Sequence, residues 1–346
     1  MKRVFYNSLG TEEMYGLIEE VMPAGYELVT LETDGDEERC QKIKNCEVAI
    51  VAAKPMTSSI IKAAEALQLV HHQGVGYHDT IDTQSLIERG IRLALTPTGT
   101  AIGVAEHTVL LTLAAAKRLA FADSELRQGR WHINSLRPVS LEIQGKTVGY
   151  IGFGMIGQAA AERFKVFGTK GLYFDPYARP DKARDDRLGV KPAGFDELLI
   201  DSDIISIHTP LTEDTHHLIS FDQFEMMKPT AILVNTARGP VVHEQALVMA
   251  LRSGQILAAG IDVFESEPVS PDNPLCCLEN IVMTPHISAG TVDALMGKMR
   301  SLFENVERFF RGEPLENEIN LTCLLYTSPS PRDSTLDRVC RLLREK

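Results

Sequence analysis

Residues Gly152-Phe153-Gly154-Met155-Ile156-Gly157 follow the apolar run Thr147–Ile151 and open a stretch of helical periodicity over 155–167. No other feature constrains the chain as much. Gly152 suits a tight turn, Gly154 lets the backbone come close to a pyrophosphate, and Gly157 lets the helix pack onto the strand. The first turn of that helix, with Met155 and Ile156 in it, offers unpaired N–H groups and a partial positive charge to phosphates. About 18 residues after the third glycine, the run Leu172-Tyr173-Phe174-Asp175-Pro176 places an acid at the end of the next strand. Asp175 can accept from both ribose hydroxyls of NAD and would repel the 2′-phosphate of NADP. Arg179 lies close enough in sequence to weaken that discrimination. The expected cofactor is NAD.

The rest of the 346-residue chain repeats this alternation twice. In the first hundred residues, runs at 4–6, 27–31, 48–51, 69–72 and 92–95 read as strands. Segments 12–21, 58–66 and 83–88 read as the helices between them. After the break Thr96-Pro97-Thr98-Gly99, residues 101–119 form a helix that is apolar nearly all round and so must be buried on several sides, at a domain or subunit interface. A second series has strands at 147–151, 172–175, 204–208, 232–235, 258–263 and 281–284. Its helices are at 155–167, 195–199, 221–227 and 243–253, and a long helix over 292–310 closes it. The fold class is therefore α/β, with two doubly wound parallel-sheet domains.

The net charge of −12 disfavours nucleic acid or an anionic membrane surface as a partner, because both repel an acidic protein. No apolar run approaches the roughly 20 residues of a membrane helix. Glu12-Glu13 arrives too early for a signal-peptide core. Six cysteines lack zinc-ligand or CxxC spacing and are expected to be free thiols in a reducing cytosol. Residues 323–346 have no periodicity; they read as a translated sequencing-library adapter, a non-native tail left out of the fold.

Three later segments end buried strands in reactive side chains: Leu233-Val234-Asn235-Thr236-Ala237-Arg238-Gly239, then Gly260-Ile261-Asp262-Val263-Phe264-Glu265-Ser266-Glu267-Pro268, then Met283-Thr284-Pro285-His286-Ile287-Ser288-Ala289-Gly290. Open α/β sheets build their ligand crevice beyond strand C-termini. With Met227-Lys228-Pro229 and Arg127-x-Gly129-x-Trp131, these segments resemble the D-isomer-specific 2-hydroxyacid dehydrogenases over nearly all of residues 1–320. The resemblance implies a Rossmann NAD-binding domain at 99–285 and a discontinuous, flavodoxin-like substrate domain at 1–98 and 286–322, with a crevice that closes on substrate. It implies a homodimer through the 101–119 region, and Arg238, Glu267 and His286 as the catalytic trio.

The chemistry of a small 2-hydroxy or 2-keto acid suits those roles. A guanidinium can grip a carboxylate through paired donors where lysine offers a point charge. A histidine can exchange a proton with the C2 oxygen near neutral pH, and a carboxylate beside it favours its charged form. Glu265 competes with Glu267 as that carboxylate; the resemblance favours Glu267, before Pro268. It also implies cofactor contacts for Thr108, the backbone of His208-Thr209-Pro210, Thr236, Ala237 and Ala289, and a hydrogen bond from Asp262 to the nicotinamide carboxamide. His243 stands where the family has Asp or Asn, which should cost a helix cap. No acid or cysteine stands at ligand spacing from His71-His72 or His216-His217, so no metal is expected. Gly74, Val75 and Gly76 form a loop whose N–H groups could cradle the substrate carboxylate. One extra residue there, relative to the family, makes His78 a candidate to enter the pocket. Phosphoglycerate dehydrogenase and glyoxylate/hydroxypyruvate reductase are the leading activities. The alternative is a dinucleotide-sensing binding protein like the C-terminal-binding corepressors, which share this fold and trio.

Overall fold

A computed structural model of the chain describes residues 1–52 and 54–321; the proposed adapter tail at 323–346 lies outside them. The described residues divide into two units, Met1–Thr98 with those from Val292 onward, and Gly99–Thr291.

The first unit begins β1 (Lys2–Tyr6), α1 (Glu12–Val21), β2 (Tyr26–Val29), α2 (Asp36–Lys42), β3 (Val48–Val51), α3 (Ser58–Ala63), β4 (Leu69–His72), α4 (Thr83–Arg89) and β5 (Arg92–Leu95). The central strands β3 and β4 are buried at every position, as expected of parallel strands covered on both faces. Thr11 starts α1 by accepting from the Met14 N–H at 3.3 Å. Helix α2 escaped the sequence reading because Asp-Glu-Glu-Arg-Cys-Gln-Lys carries no apolar stripe. Its anchor is Arg39, which is buried and donates through Nε to the Asn7 carbonyl at 3.0 Å.

The second unit runs α5 (Thr100–Ala116), α6 (Leu119–Arg127), α7 (Ile133–Leu136), β6 (Thr147–Ile151), α8 (Met155–Val166), β7 (Lys170–Phe174), α9 (Lys182–Leu188), β8 (Val190–Pro192), α10 (Phe195–Asp201), β9 (Ile204–Ile207), α11 (Phe221–Met226), β10 (Ile232–Asn235), α12 (Glu244–Ser253), β11 (Ala258–Ile261) and β12 (Ile281–Met283). Its seven strands lie in the order β12-β11-β10-β9-β6-β7-β8, and every pair is parallel. This is the Rossmann arrangement, with its switch point between β6 and β9. Helix α5 packs on α8, β10 and β11. A Cβ on Gly260 of β11 would lie 2.8 Å from the Leu111 Cβ, so glycine there sets how closely α5 sits. Helix α12 starts after His243, whose Nδ1 accepts from the Ala246 N–H at 3.4 Å. The cap that sequence reasoning expected to be lost is made by the imidazole.

The chain then returns to the first unit with α13 (Val292–Arg311) and the short β13 (Glu318–Ile319). Met299, Leu302, Phe303 and Val306 recur at helical spacing and pack on Val4, Tyr6, Val48, Ile50 and Leu69. The sheet order is β13-β5-β4-β3-β1-β2, parallel except for β13. Its five parallel strands follow the flavodoxin-like order, with a switch point between β1 and β3. The return falls at Val292, not at the expected residue 286, because residues 284–288 are hydrogen-bonded to Asp262 of the second unit. Among the described residues no helix is long and apolar enough to cross a membrane.

Candidate active site

At the β6/β9 switch point the glycines divide by what requires them. Gly152 has φ +87°, and a Cβ on it would lie 2.7 Å from the His208 carbonyl and 2.9 Å from the Thr209 nitrogen. A Cβ on Gly157 would lie 2.5 Å from the Gly152 oxygen. The protein itself demands both. Around Gly154 a Cβ would meet no atom within 4 Å, and no side chain caps α8 at this residue. Glycine there leaves room above a helix N-terminus with open N–H groups, which fits a pyrophosphate. Met155 is exposed and Ile156 half-buried beside this space.

Asp175 follows β7. Its carboxylate accepts from the Phe153 N–H at 2.8 Å, the Tyr177 N–H at 2.8 Å and the Ala178 N–H at 3.1 Å. The acid expected to meet the ribose therefore also ties the glycine loop to the next strand. His208 hydrogen-bonds Ser206 Oγ through Nε2 at 2.8 Å, and burial lowers its pKa to about 4. Pro210 follows on the surface, its carbonyl accepting from the Thr215 hydroxyl at 2.6 Å. Thr108 of α5 and Thr236 beyond β10 are both buried, with hydroxyls 3.1 Å apart.

The strand ends after β10, β11 and β12 bring the trio together. Asn235 closes the β10 turn by accepting from the Ala237 N–H and donating to the Arg238 carbonyl, both at 3.0 Å. Arg238 is half-buried and donates through Nη1 to the Ala237 carbonyl at 2.8 Å. A Cβ on Gly239 would fall 1.9 Å from the Phe264 carbonyl, so only glycine lets this turn press against the segment that leads to Glu267. Glu267 accepts from the Phe264 N–H at 3.0 Å and meets His286 Nδ1 at 2.8 Å. Burial acts to raise its pKa. The bond to His286, the charge of His286, the Phe264 N–H and the nearby Arg238 outweigh burial and hold it below the usual range. The competing acid is engaged elsewhere: Glu265 accepts from the Glu244 N–H at 2.9 Å and meets His217 Nε2 at 3.0 Å.

His286 has φ +54°, a left-handed conformation uncommon outside glycine. Its N–H reaches the carbonyls of Asp262 at 2.8 Å and Thr284 at 3.1 Å. The Asp262 carboxylate, fully buried, accepts from the Thr284 hydroxyl at 2.6 Å and from the Ile287 and Ser288 N–H groups at 2.9 and 2.8 Å. His107 of α5 meets the same Thr284 hydroxyl at 2.9 Å. The resemblance implies a carboxamide contact for Asp262; in the structure both its oxygens serve the turn that presents His286. Ala289 follows, half-buried near Gly103 of α5. Sequence reasoning gave no role to Asn235, Gly239, Thr284 or His107. The available signals were a polar residue ending an all-buried strand and a glycine directly after the arginine.

In the first unit, Gly74, Val75 and Gly76 follow β4, with Gly74 and Gly76 half-buried and Val75 exposed. The loop folds on itself, with the Tyr77 N–H donating to the Val75 carbonyl at 3.1 Å and the Thr80 hydroxyl to the Gly76 carbonyl at 2.9 Å. His78 is exposed, with its ring 4.0 Å from that of Tyr77.

Comparison with known proteins agrees with this geometry. Residues 109–288 match the family model of the D-isomer specific 2-hydroxyacid dehydrogenase, NAD binding domain. The chain is 38% identical over 283 residues to a glyoxylate reductase of Korarchaeum cryptofilum, covering 81% of this chain and 84% of that one. It is 39% identical over 286 residues to a D-3-phosphoglycerate dehydrogenase of Archaeoglobus fulgidus, covering 82% of this chain but only 53% of that one. The chain thus spans about half the length of that relative. The crystal structure of the TT0316 protein from Thermus thermophilus superposes with a TM-score of 0.80 at 31% identity, covering 92% of this chain and all of that one. A dinucleotide loop at a Rossmann switch point, a histidine–glutamate pair beside an arginine and these likenesses agree: the chain belongs to the D-isomer specific 2-hydroxyacid dehydrogenase family.

Proposed function

We propose that the protein is an NAD-dependent dehydrogenase that interconverts a small 2-keto acid and its D-2-hydroxy acid. The observation that carries this reading is the 2.8 Å contact between His286 Nδ1 and Glu267, an acid held ionised beside Arg238. NADH, when bound, supplies the hydride that reduces the C2 carbonyl. Arg238 grips the substrate carboxylate with its planar fork and fixes the carbonyl in one orientation. His286 gives its Nε2 proton to the carbonyl oxygen as negative charge develops there, and Glu267 stabilises the imidazolium before transfer. In the oxidative direction His286 takes the proton back. Gly152, Gly154 and Gly157 with Asp175 hold the dinucleotide. Thr108, Thr236, Ala237, Ala289 and the backbone of residues 208–210 border it.

A homodimer through α5 is part of the proposal. Ile102 and Leu110 on α5, Leu119 and Leu126 on α6, and Trp131 and Ile133 beyond it are large apolar side chains more than 50% exposed. Such a patch supports burial against a second copy. A cytoplasmic location follows from the same reading. The test is an NADH-oxidation screen over glyoxylate, hydroxypyruvate, pyruvate and bulkier 2-keto acids. Turnover of one of them supports the dehydrogenase. Tight NADH binding without turnover of any would favour the dinucleotide-sensing alternative.

A further inference from the structure

Helix α5 meets the turn that presents His286 through two residues one helical turn apart, Gly103 and His107. Gly103 is buried, and a Cβ on it would lie 3.1 Å from the Ser288 carbonyl, so α5 sits close against the backbone just beyond His286. The His107 side chain is largely buried, with Nε2 2.9 Å from the Thr284 hydroxyl. The direction of that bond follows from Asp262. A carboxylate can only accept, and the Asp262 carboxylate, fully buried, is 2.6 Å from the same hydroxyl. Thr284 therefore donates its one proton to Asp262, and its oxygen is left to accept from His107 Nε2–H. The imidazole is 3.6 Å from Asp262 Oδ1, too far for a direct hydrogen bond, so it acts through the threonine. The same Oδ1 accepts from the Ile287 N–H, and Oδ2 accepts from the Ser288 N–H. These bonds bracket His286, whose φ of +54° is a conformation that a side-chain-bearing residue keeps only with support from its surroundings.

We infer that His107 is a positioning residue for His286. Its Nε2–H fixes the Thr284 hydroxyl toward Asp262, and Asp262 holds the left-handed turn that sets the His286 ring against Glu267. An apolar side chain could fill the same space; what the turn requires is the N–H. His107 is a fixed donor and exchanges no proton with substrate. The inference rests on the dehydrogenase reading above and deepens it, because the group being positioned is the general acid of that reaction.

The test uses the full chain, NADH and the best 2-keto acid of the substrate screen. His107→Phe keeps a ring and removes the donor. His107→Gln restores an N–H near the position of Nε2 and cannot titrate. His107→Phe should lower kcat at least about tenfold, with KM for the 2-keto acid and the NADH dissociation constant within about threefold of the parent. His107→Gln should return kcat to within about threefold of the parent, a rescue that a simple packing role would not give. Thr284→Val removes the relaying hydroxyl at nearly constant volume and carries the test if His107→Phe does not fold. It should show the same loss of kcat, and adding the His107 substitution to it should change kcat less than about twofold, because the two groups act in series. Parent-like kcat in His107→Phe or in Thr284→Val, equal losses in the phenylalanine and glutamine variants, losses that multiply in the double variant, or lost NADH binding would each overturn the inference and leave the dehydrogenase reading intact. A parent chain that turns over none of the 2-keto acids would overturn the dehydrogenase reading, and the inference with it.

Discussion

Gly239→Ala tests the joint between the arginine turn and the glutamate segment. The added Cβ would sit 1.9 Å from the Phe264 carbonyl carbon and oxygen and 2.5 Å from the Glu265 nitrogen. Carbon atoms do not approach backbone below 3.0 Å, so the two segments must separate by at least about 1.1 Å. Neither can yield by rotating a side chain, because the obstructing atoms are main chain. One segment carries Arg238 and the other Glu267, whose bond to the Phe264 N–H orients it toward His286. Misplacing reacting groups by about 1 Å costs on the order of a hundredfold in rate, or about 2.7 kcal/mol of transition-state stabilisation. Overpacking adds roughly 1–3 kcal/mol of instability, which lowers Tm by a few degrees for a unit of this size. The assay is kcat/KM with NADH and the best 2-keto acid, beside a fluorescence titration of NADH and a melting curve. The expected result is a loss of about a hundredfold in kcat/KM with NADH still bound. Activity within twofold of the parent would refute the reasoning.

Asp175→Ala should lower the preference for NAD over NADP by about tenfold, and it should also weaken NADH binding because the Phe153 N–H loses its acceptor; an unchanged NAD/NADP ratio in steady-state kinetics would show that this acid does not read the ribose. His71 is fully buried between Thr96 and Asn305, and burial lowers its pKa from 6.5 to about 3. Below pH 6.5 the unfolded chain binds a proton that the folded one refuses, so stability falls with pH, by about 2 kcal/mol between pH 7 and pH 5. Urea titrations at those two pH values should show that much less acid sensitivity in His71→Gln, and equal sensitivity would contradict the assignment. Leu110→Glu, which places a charge on an exposed apolar face of α5, should shift the protein from dimer to monomer in sedimentation velocity, whereas an unchanged dimer would put the interface elsewhere.

Strands read from short, mostly apolar runs between turn signals were legible in the sequence, and β3, β4, β5, β6 and β10 fall at the expected residues. Edges were less legible. Helix α2 has no apolar stripe, and β13 is two residues long and pairs antiparallel across a sequence gap that no local pattern reveals. The glycine loop and the trio were readable because each is a short run with a chemical reason for its residue types. What holds the trio was not, since the Asp262–Thr284–His107 network joins β11, β12 and α5 across up to 177 positions.

The central claim is that His286 moves a proton and does not hold the cofactor. The direct measurement is His286→Ala, with single-turnover reduction of a 2-keto acid and NADH affinity determined on the same preparation. Loss of a hundredfold to ten-thousandfold in the reduction rate, with the NADH dissociation constant within about threefold of the parent, is the outcome expected of a general acid. Retained turnover, or lost NADH binding, would contradict the role.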